Sequence, residues 1–217
     1  MNFRIEGLEV VETQEGRVTV HRLHNGDRLP IVAPPSSNGV LPQETHLAAA
    51  PVRKAADAFA KVEAARRAAA NDPTLSEVGR ANKVQAVRSI ASDAVRDAEY
   101  DLAGLAKVAE AAHVEAYTPP KIQPGDVENV FIDQEVRHYV RGLSGKGLTD
   151  YLQGLERNPR HLEAIMRSPV PMPNVDQYAK RLWETRMQGT SKAVSAKAYA
   201  DALEWANGTL AQIKAKV

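Results

Sequence analysis

Between Leu75 and Tyr117 the chain contains no proline, and apolar residues return every three or four positions: Val84, Val87, Ala91, Ala94, Ala98, Leu102, Leu105, Ala109, Ala112 and Ala116. That is the period of a helix with one apolar face. At 1.5 Å per residue it predicts a rod of roughly 60 Å, far longer than the usual globular helix. Gly79 and Gly104 are its weak points. Upstream, Val52, Ala55, Phe59, Val62 and Ala69 mark the face of another helix, which Asn71 or Asp72 can end, and Pro73 fits the opening of the next. Residues 52–117 therefore read as a long helical hairpin, or as one helix bent at Pro73.

Most of these apolar positions are alanines, and aromatic residues make up only 5% of the 217-residue chain. Small side chains bury little area each, so the core is modest. Ala-rich helices of this kind gain stability from partner surfaces, and a homo-oligomer is expected.

The flanks read differently. Residues 1–33 alternate apolar and polar in "FRIEGLEVVE" and "GRVTVHRL", with "TQEG" between them as a hairpin turn. "HNGDRLPIV" adds a third short strand. Residues 34–51 carry Pro34, Pro35, Pro42 and Pro51, which block helix and central strand alike, and read as an extended arm. Residues 118–126, "TPPKIQPGD", form a second linker. Residues 127–217 then read as a bundle of shorter helices. Phe131, Ile132, Val136, Tyr139 and Leu143 mark the first, "SGKG" interrupts as a loop, and Leu148, Tyr151, Leu152 and Leu155 mark the second. Asn158 and Pro159 fit the N-cap and first position of the third. "SPVPMPN" is a rigid connector. Two further helices, separated at Gly189, carry Trp183 and Trp205, both expected in the core. The fold class is mainly α: a long helical hairpin plus a cluster of shorter helices, with a small amino-terminal β-hairpin and an extended arm.

Composition removes several chemistries. The chain has no cysteine, which excludes disulfides, thiolate nucleophiles and Cys-based metal or cluster sites. The 28 basic and 27 acidic residues leave a formal charge of +1, which argues against a whole-surface nucleic-acid footprint. A local basic bias remains near the carboxyl end, in Lys180, Arg181, Arg186, Lys192, Lys197, Lys214 and Lys216. It supports an alternative reading as a nucleic-acid-associated helical protein with steep salt dependence. No stretch reaches the roughly 20 apolar residues of a membrane span, and the amino terminus lacks a signal-peptide core. A cytoplasmic protein, or one packed into a particle assembled there, is expected.

Two stretches, "EAAH" and "EVRH", place Glu110 and His113, then Glu135 and His138, at the i, i+3 spacing used by carboxylate-bridged di-iron bundles. A third reading, a small metalloenzyme, rests on these four residues. It is disfavoured: only a proline-rich linker and a few flanking residues separate the motifs where a bundle places a helix. His113 also lies near a helix end, and solvated helix faces are the plainer account. His138 is expected partly buried beside Tyr139. His21 and His24, three apart in a strand, fall on opposite faces and form no metal pair. "GLSGKGL" around Lys146 lacks the phosphate-loop spacing. No catalytic, cofactor-binding or metal-ligating residue is assigned, and the chain is read as a non-enzyme.

Two phrases carry a resemblance. "NDPTLSEVGRANKVQAVRS" (Asn71 to Ser89) is similar to a segment of tailed-phage and prophage proteins, in which Asp-Pro-x-Leu-Ser/Thr-x-x-Gly-Arg/Lys opens a long Ala-rich helix. The run from Asp133 to Met172 resembles the same proteins, with Asp-Gln-Glu-x-Arg at its start and Ala-Ile-x-Arg-x-Pro near its close. The resemblance covers about the middle half of the chain and implies a virion structural or assembly protein: a head accessory, decoration or head–tail connector subunit. It carries no catalytic residues. The partners implied are other virion subunits (capsid, portal or neighbouring copies), and the place implied is the virion, assembled in the host cytoplasm.

Overall fold

The computed structural model describes residues 42–217 in full and, of the first 41, only the backbone of three strands. These are β1 (Leu8–Thr13), β2 (Gly16–Arg22) and β3 (Arg28–Pro30), antiparallel in the order β1-β2-β3, with Val10 opposite Thr19 and Val20 opposite Pro30. The expected hairpin falls here; its turn at 14–15, its side chains and the arm up to residue 41 lie outside the described residues.

From residue 42 onward the protein is mainly helical. The helices are α1 (Gln43–Ala70), α2 (Glu77–Tyr117), α3 (Val127–Arg141), α4 (Gly145–Leu155), α5 (Pro159–Met166), α6 (Asp176–Met187) and α7 (Ser191–Lys214). The chain divides into two compact units. One contains the chain up to Ala111 together with Ser195–Val217; the other is Ala112–Val194.

In the first unit α1 and α2 form the expected hairpin. Val62 packs with Ala91 and Ala94, and Val52, Ala55 and Phe59 share a core with Val95, Ala98 and Leu102. The joint is built by its own side chains. Asp72 Oδ1 accepts from Thr74 N at 3.0 Å and from Thr74 Oγ1 at 2.6 Å, closing an Asx-type turn. Ser76 Oγ then accepts from Gly79 N at 3.2 Å, the N-cap geometry that starts α2. Pro73 therefore sits in the turn and does not open the helix, because Ser76 holds the capping position. A Cβ on Gly79 would come to 3.3 Å from Ser76 Oγ, so the close approach favours glycine.

Two boundary expectations are corrected. The arm expected over 34–51 gives way to helix at Gln43, and Pro51 lies inside α1. A proline there removes one backbone hydrogen bond and crowds the preceding turn, at a cost of about 3 kcal/mol. The first two turns survive because they are buried: Thr45, Ala48 and Ala49 all lie in the core. The carboxyl-terminal stretch also leaves the expected 127–217 bundle. From Ser195 onward α7 belongs to the first unit, where Ala202, Trp205, Ala206, Leu210 and Ile213 complete the core on α1 and α2. An alanine face needs large side chains opposite it to exclude water, and α7 supplies them. Ser195 Oγ donates to Glu44 Oε1 at 2.5 Å within the same unit.

The second unit packs α3, α4, α5, α6 and the proline-rich connector around Val136, Val140, Leu155, Leu162, Ile165, Met172, Val175 and Trp183. Asn158 Oδ1 accepts from His161 N and Pro159 takes the first helical position, as the sequence predicts. The segment before α3 turns at Gly125, whose φ of +90° only glycine adopts freely, and Asp126 caps α3 through Asn129 N at 3.1 Å. The "SGKG" interruption is shorter than expected. Ser144 is extended and α4 begins at the next residue, Gly145, whose φ is +52°, so Lys146 and Gly147 are helical.

Candidate functional site

The chemistry of the second unit centres on one carboxylate. Asp133 lies on the buried stripe of α3 with Val136 and Val140, and is 1% exposed. A lone buried charge costs far too much to persist, so partners are required. Arg167, at the end of α5, supplies a bidentate clamp: Nε to Oδ2 at 2.8 Å and Nη2 to Oδ1 at 2.9 Å. Arg160 adds an ion pair, Nη1 to Oδ1 at 2.6 Å. Arg137, one turn on from Asp133, donates Nε to the Asp133 carbonyl at 2.7 Å and holds Nη2 3.9 Å from the carboxylate.

The outer hydrogen bonds tie the cluster to three chain segments. Arg160 Nη2 donates to the Asn129 carbonyl at 3.0 Å. Arg167 Nη1 donates to the Pro120 carbonyl at 3.0 Å and to Glu163 Oε2 at 3.2 Å. The expected linker at 118–126 is thereby fastened to α5. Burial pushes the Asp133 carboxyl up, but the Arg167 hydrogen bonds and the Arg160 charge outweigh it and hold it below the usual carboxylate range. The Asp133 hydrogen bond raises Arg167 above its ordinary value, against burial. The shared Asp133 carboxylate and the outer hydrogen bonds thus fasten α3, α5 and the 118–126 segment to one another.

Beside it, Tyr151 stacks on His161 and meets Tyr139 edge to face. Ring centroids are 5.8 Å apart for the tyrosines and 5.9 Å for Tyr151 and His161, with Tyr151 Oη 3.2 Å from His161 Nδ1. Burial, then the Tyr139 charge, pushes Tyr151 up to about 12. Burial, then Arg160, pulls His161 down. Both shifts favour the uncharged forms, a phenol beside a neutral imidazole.

The four residues of the metal reading are scattered over exposed helix faces. Glu110, His113, Glu135 and His138 are all exposed, and the His113 ring packs on Tyr117 at 4.7 Å. Among the described residues no group of three or more His, Cys, Asp or Glu is placed to hold a metal ion. His138 is exposed, not partly buried, because it lies off the Asp133–Val136–Val140 stripe. His21 and His24 lie outside the residues whose side chains are described. The seven basic residues of the carboxyl end are exposed. Three are taken by ion pairs: Lys180 with Glu184 at 3.9 Å, Lys192 with Glu115 at 2.8 Å and Lys214 with Glu99 at 2.5 Å. They divide between the two units.

Both tryptophans are buried as expected, and Trp183 Nε1 donates to the Tyr117 carbonyl at 2.7 Å. A cavity of about 180 Å³ opens in the second unit, lined by Val140, Arg141, Leu143, Leu148, Met172 and Val175 together with Pro171, Pro173 and Asn174. Exposed apolar residues on α2 (Val78, Ile90, Tyr100, Val108, Val114) are spaced singly and define no patch by themselves. Among the described residues no helix is long and apolar enough to cross a membrane.

The sequence missed the Asp133 cluster as a cluster. A signal was present: an aspartate in register with Val136 and Val140 on an otherwise apolar stripe demands a cationic partner. Comparison with known protein families, curated proteins and solved structures finds no match.

Proposed function

We propose that this chain is a structural or assembly subunit of a bacteriophage particle, a head accessory, decoration or head–tail connector protein, acting through contacts with other subunits. One observation carries the reading: residues of the two phage-like phrases build the α1–α2 joint and the buried ion cluster. Asp72, Ser76, Gly79 and Arg80 belong to the first phrase. They build the α1–α2 joint, with Arg80 Nη2 donating to the Asp72 carbonyl at 3.2 Å. Asp133, Arg137 and Arg167 belong to the second and make the buried ion cluster. Phrases spent on architecture suit a protein whose product is its shape and surface. The modest alanine core of α1, α2 and α7 suits a subunit that gains stability from its neighbours.

Size-exclusion chromatography with light scattering at micromolar to millimolar chain concentration tests the reading. The expected result is a defined oligomer, or a monomer that joins a ring or shell when mixed with purified particle components. A monomer that binds none of them removes the proposal.

A further inference from the structure

We infer that the cavity between the end of α3, the start of α4 and the 168–174 connector is a docking groove for a partner segment that presents a large apolar side chain beside a carboxylate. The inference rests on the reading of this chain as a protein that works through subunit contacts, and it names the chemistry of one such contact.

Three observations converge. The first is size and lining. Val140, Met172 and Val175 form a buried apolar floor, and Leu143 and Leu148 wall it. At about 180 Å³ the space holds several times the roughly 30 Å³ share of a water molecule, enough for one leucine- or phenylalanine-sized group. A polar ligand would find few partners on such walls.

The second is preorganisation. The connector is fastened by Asp176 Oδ2 accepting from Met172 N at 2.6 Å and by Val175 N donating to the Met172 carbonyl at 2.8 Å. Ser168 Oγ donates to the Val170 carbonyl at 2.7 Å. Pro171 and Pro173 stiffen what lies between. A wall already in place charges little ordering entropy to an incoming group.

The third is charge. Arg141 is the one ionic side chain on the lining, it is exposed, and it forms no ion pair among the described residues. Lys146, at the first turn of α4, likewise forms none, and the Ser144 side chain makes no cap bond there. Asp176, the acid next to the lining, is committed to Met172 N. Arg141 thus sets an unpaired positive charge beside an apolar well, complementary to an apolar side chain with a carboxylate within its reach. A mere packing gap would be indifferent to that charge, which is what the experiment separates.

The probe is N-acetyl-leucine, with N-acetyl-leucine amide as its uncharged twin, titrated into full-length protein carrying ¹³C-methyl methionine. Four methionines give four signals, and methyl spectra remain readable in large oligomers. Met172 lines the groove, while Met166 and Met187 of the same unit do not and serve as references. The expected result is a selective shift of the Met172 signal with millimolar affinity. The acid should bind about threefold more tightly than the amide at low salt, the scale of an exposed ion pair. Arg141→Gln should erase the difference and Arg141→Glu should invert it; both change an exposed residue and leave the fold intact. Equal binding of acid and amide by the unmutated protein, an unmoved Met172, or equal movement of all methionines overturns the inference. Particle incorporation is read separately. A groove that responds in a protein absent from particles keeps this inference and removes the virion reading, and the reverse pattern does the opposite.

Discussion

Replacing Asp133 by Asn removes the one negative charge that three guanidinium groups share, while keeping the side chain's size. Arg167 loses the charge on both oxygens of its clamp, at 2.8 and 2.9 Å, and Arg160 loses its 2.6 Å pair. An amide N–H is also turned toward a cation. Removing one member of a buried ion pair costs about 3–5 kcal/mol. The lower end applies, because the Arg160 side chain is 28% exposed and can turn partly to water, and Arg167 keeps the Pro120 carbonyl and Glu163. Urea unfolding can isolate the effect. The chain has two tryptophans, and in a Trp205→Phe background the fluorescence reports Trp183, which lies in the core of the same unit as Asp133. A loss of about 3 kcal/mol with a slope of about 1–3 kcal/mol per molar lowers the midpoint by about 1 M or more. The control is Asp150→Asn on exposed α4, where a surface change stays within about 0.5 kcal/mol. If Asp133→Asn shifts the midpoint no further than Asp150→Asn, the cluster does not hold the unit and the reasoning fails.

The same cluster sets a pH response. Asp133 has a folded value below 3.8, so its contribution is full above that value and disappears as pH falls through the lower folded one. His161, held below 6.5 by burial, adds a loss that begins as pH drops beneath 6.5. Stability of the second unit, followed by Trp183, should therefore decline in two steps on acidification; a maximum between pH 4 and 6 would contradict this. Ser76→Ala removes the cap at the start of α2 and should cost about 1 kcal/mol in thermal or chemical unfolding; no loss would show that the 3.2 Å bond does not cap. Ala206→Leu, at a fully buried position between α7 and the hairpin, should cost about 1–3 kcal/mol by overpacking. Neutrality there, read from Trp205 fluorescence, would mean that the alanine core is loose.

Helices were the most legible part of the chain, because a period of 3.6 survives without knowledge of what covers the face. Val84 to Ala116 announced α2, and Asn158 with Pro159 announced α5, since caps are local chemistry. Pro51 misled because proline's penalty is local while its compensation, the burial of Thr45, Ala48 and Ala49, is not. The placement of α7 was illegible for the same reason: Trp205, Leu210 and Ile213 declare an apolar face without naming α1 and α2 as the partners. The Asp133 cluster joins residues 34 positions apart through one bidentate clamp. Only the aspartate's place on an apolar stripe hinted at it. The Glu-x-x-His pairs show the converse: a spacing that is legible locally, at positions the fold leaves on exposed helix faces.

Quantitative mass spectrometry of purified particles from a lysate of cells carrying this gene tests the proposed role most directly. The account predicts this chain in the particles at a fixed copy number relative to the major shell protein, retained through density-gradient purification. Finding the chain only in the soluble fraction, with none in the particles, would contradict it.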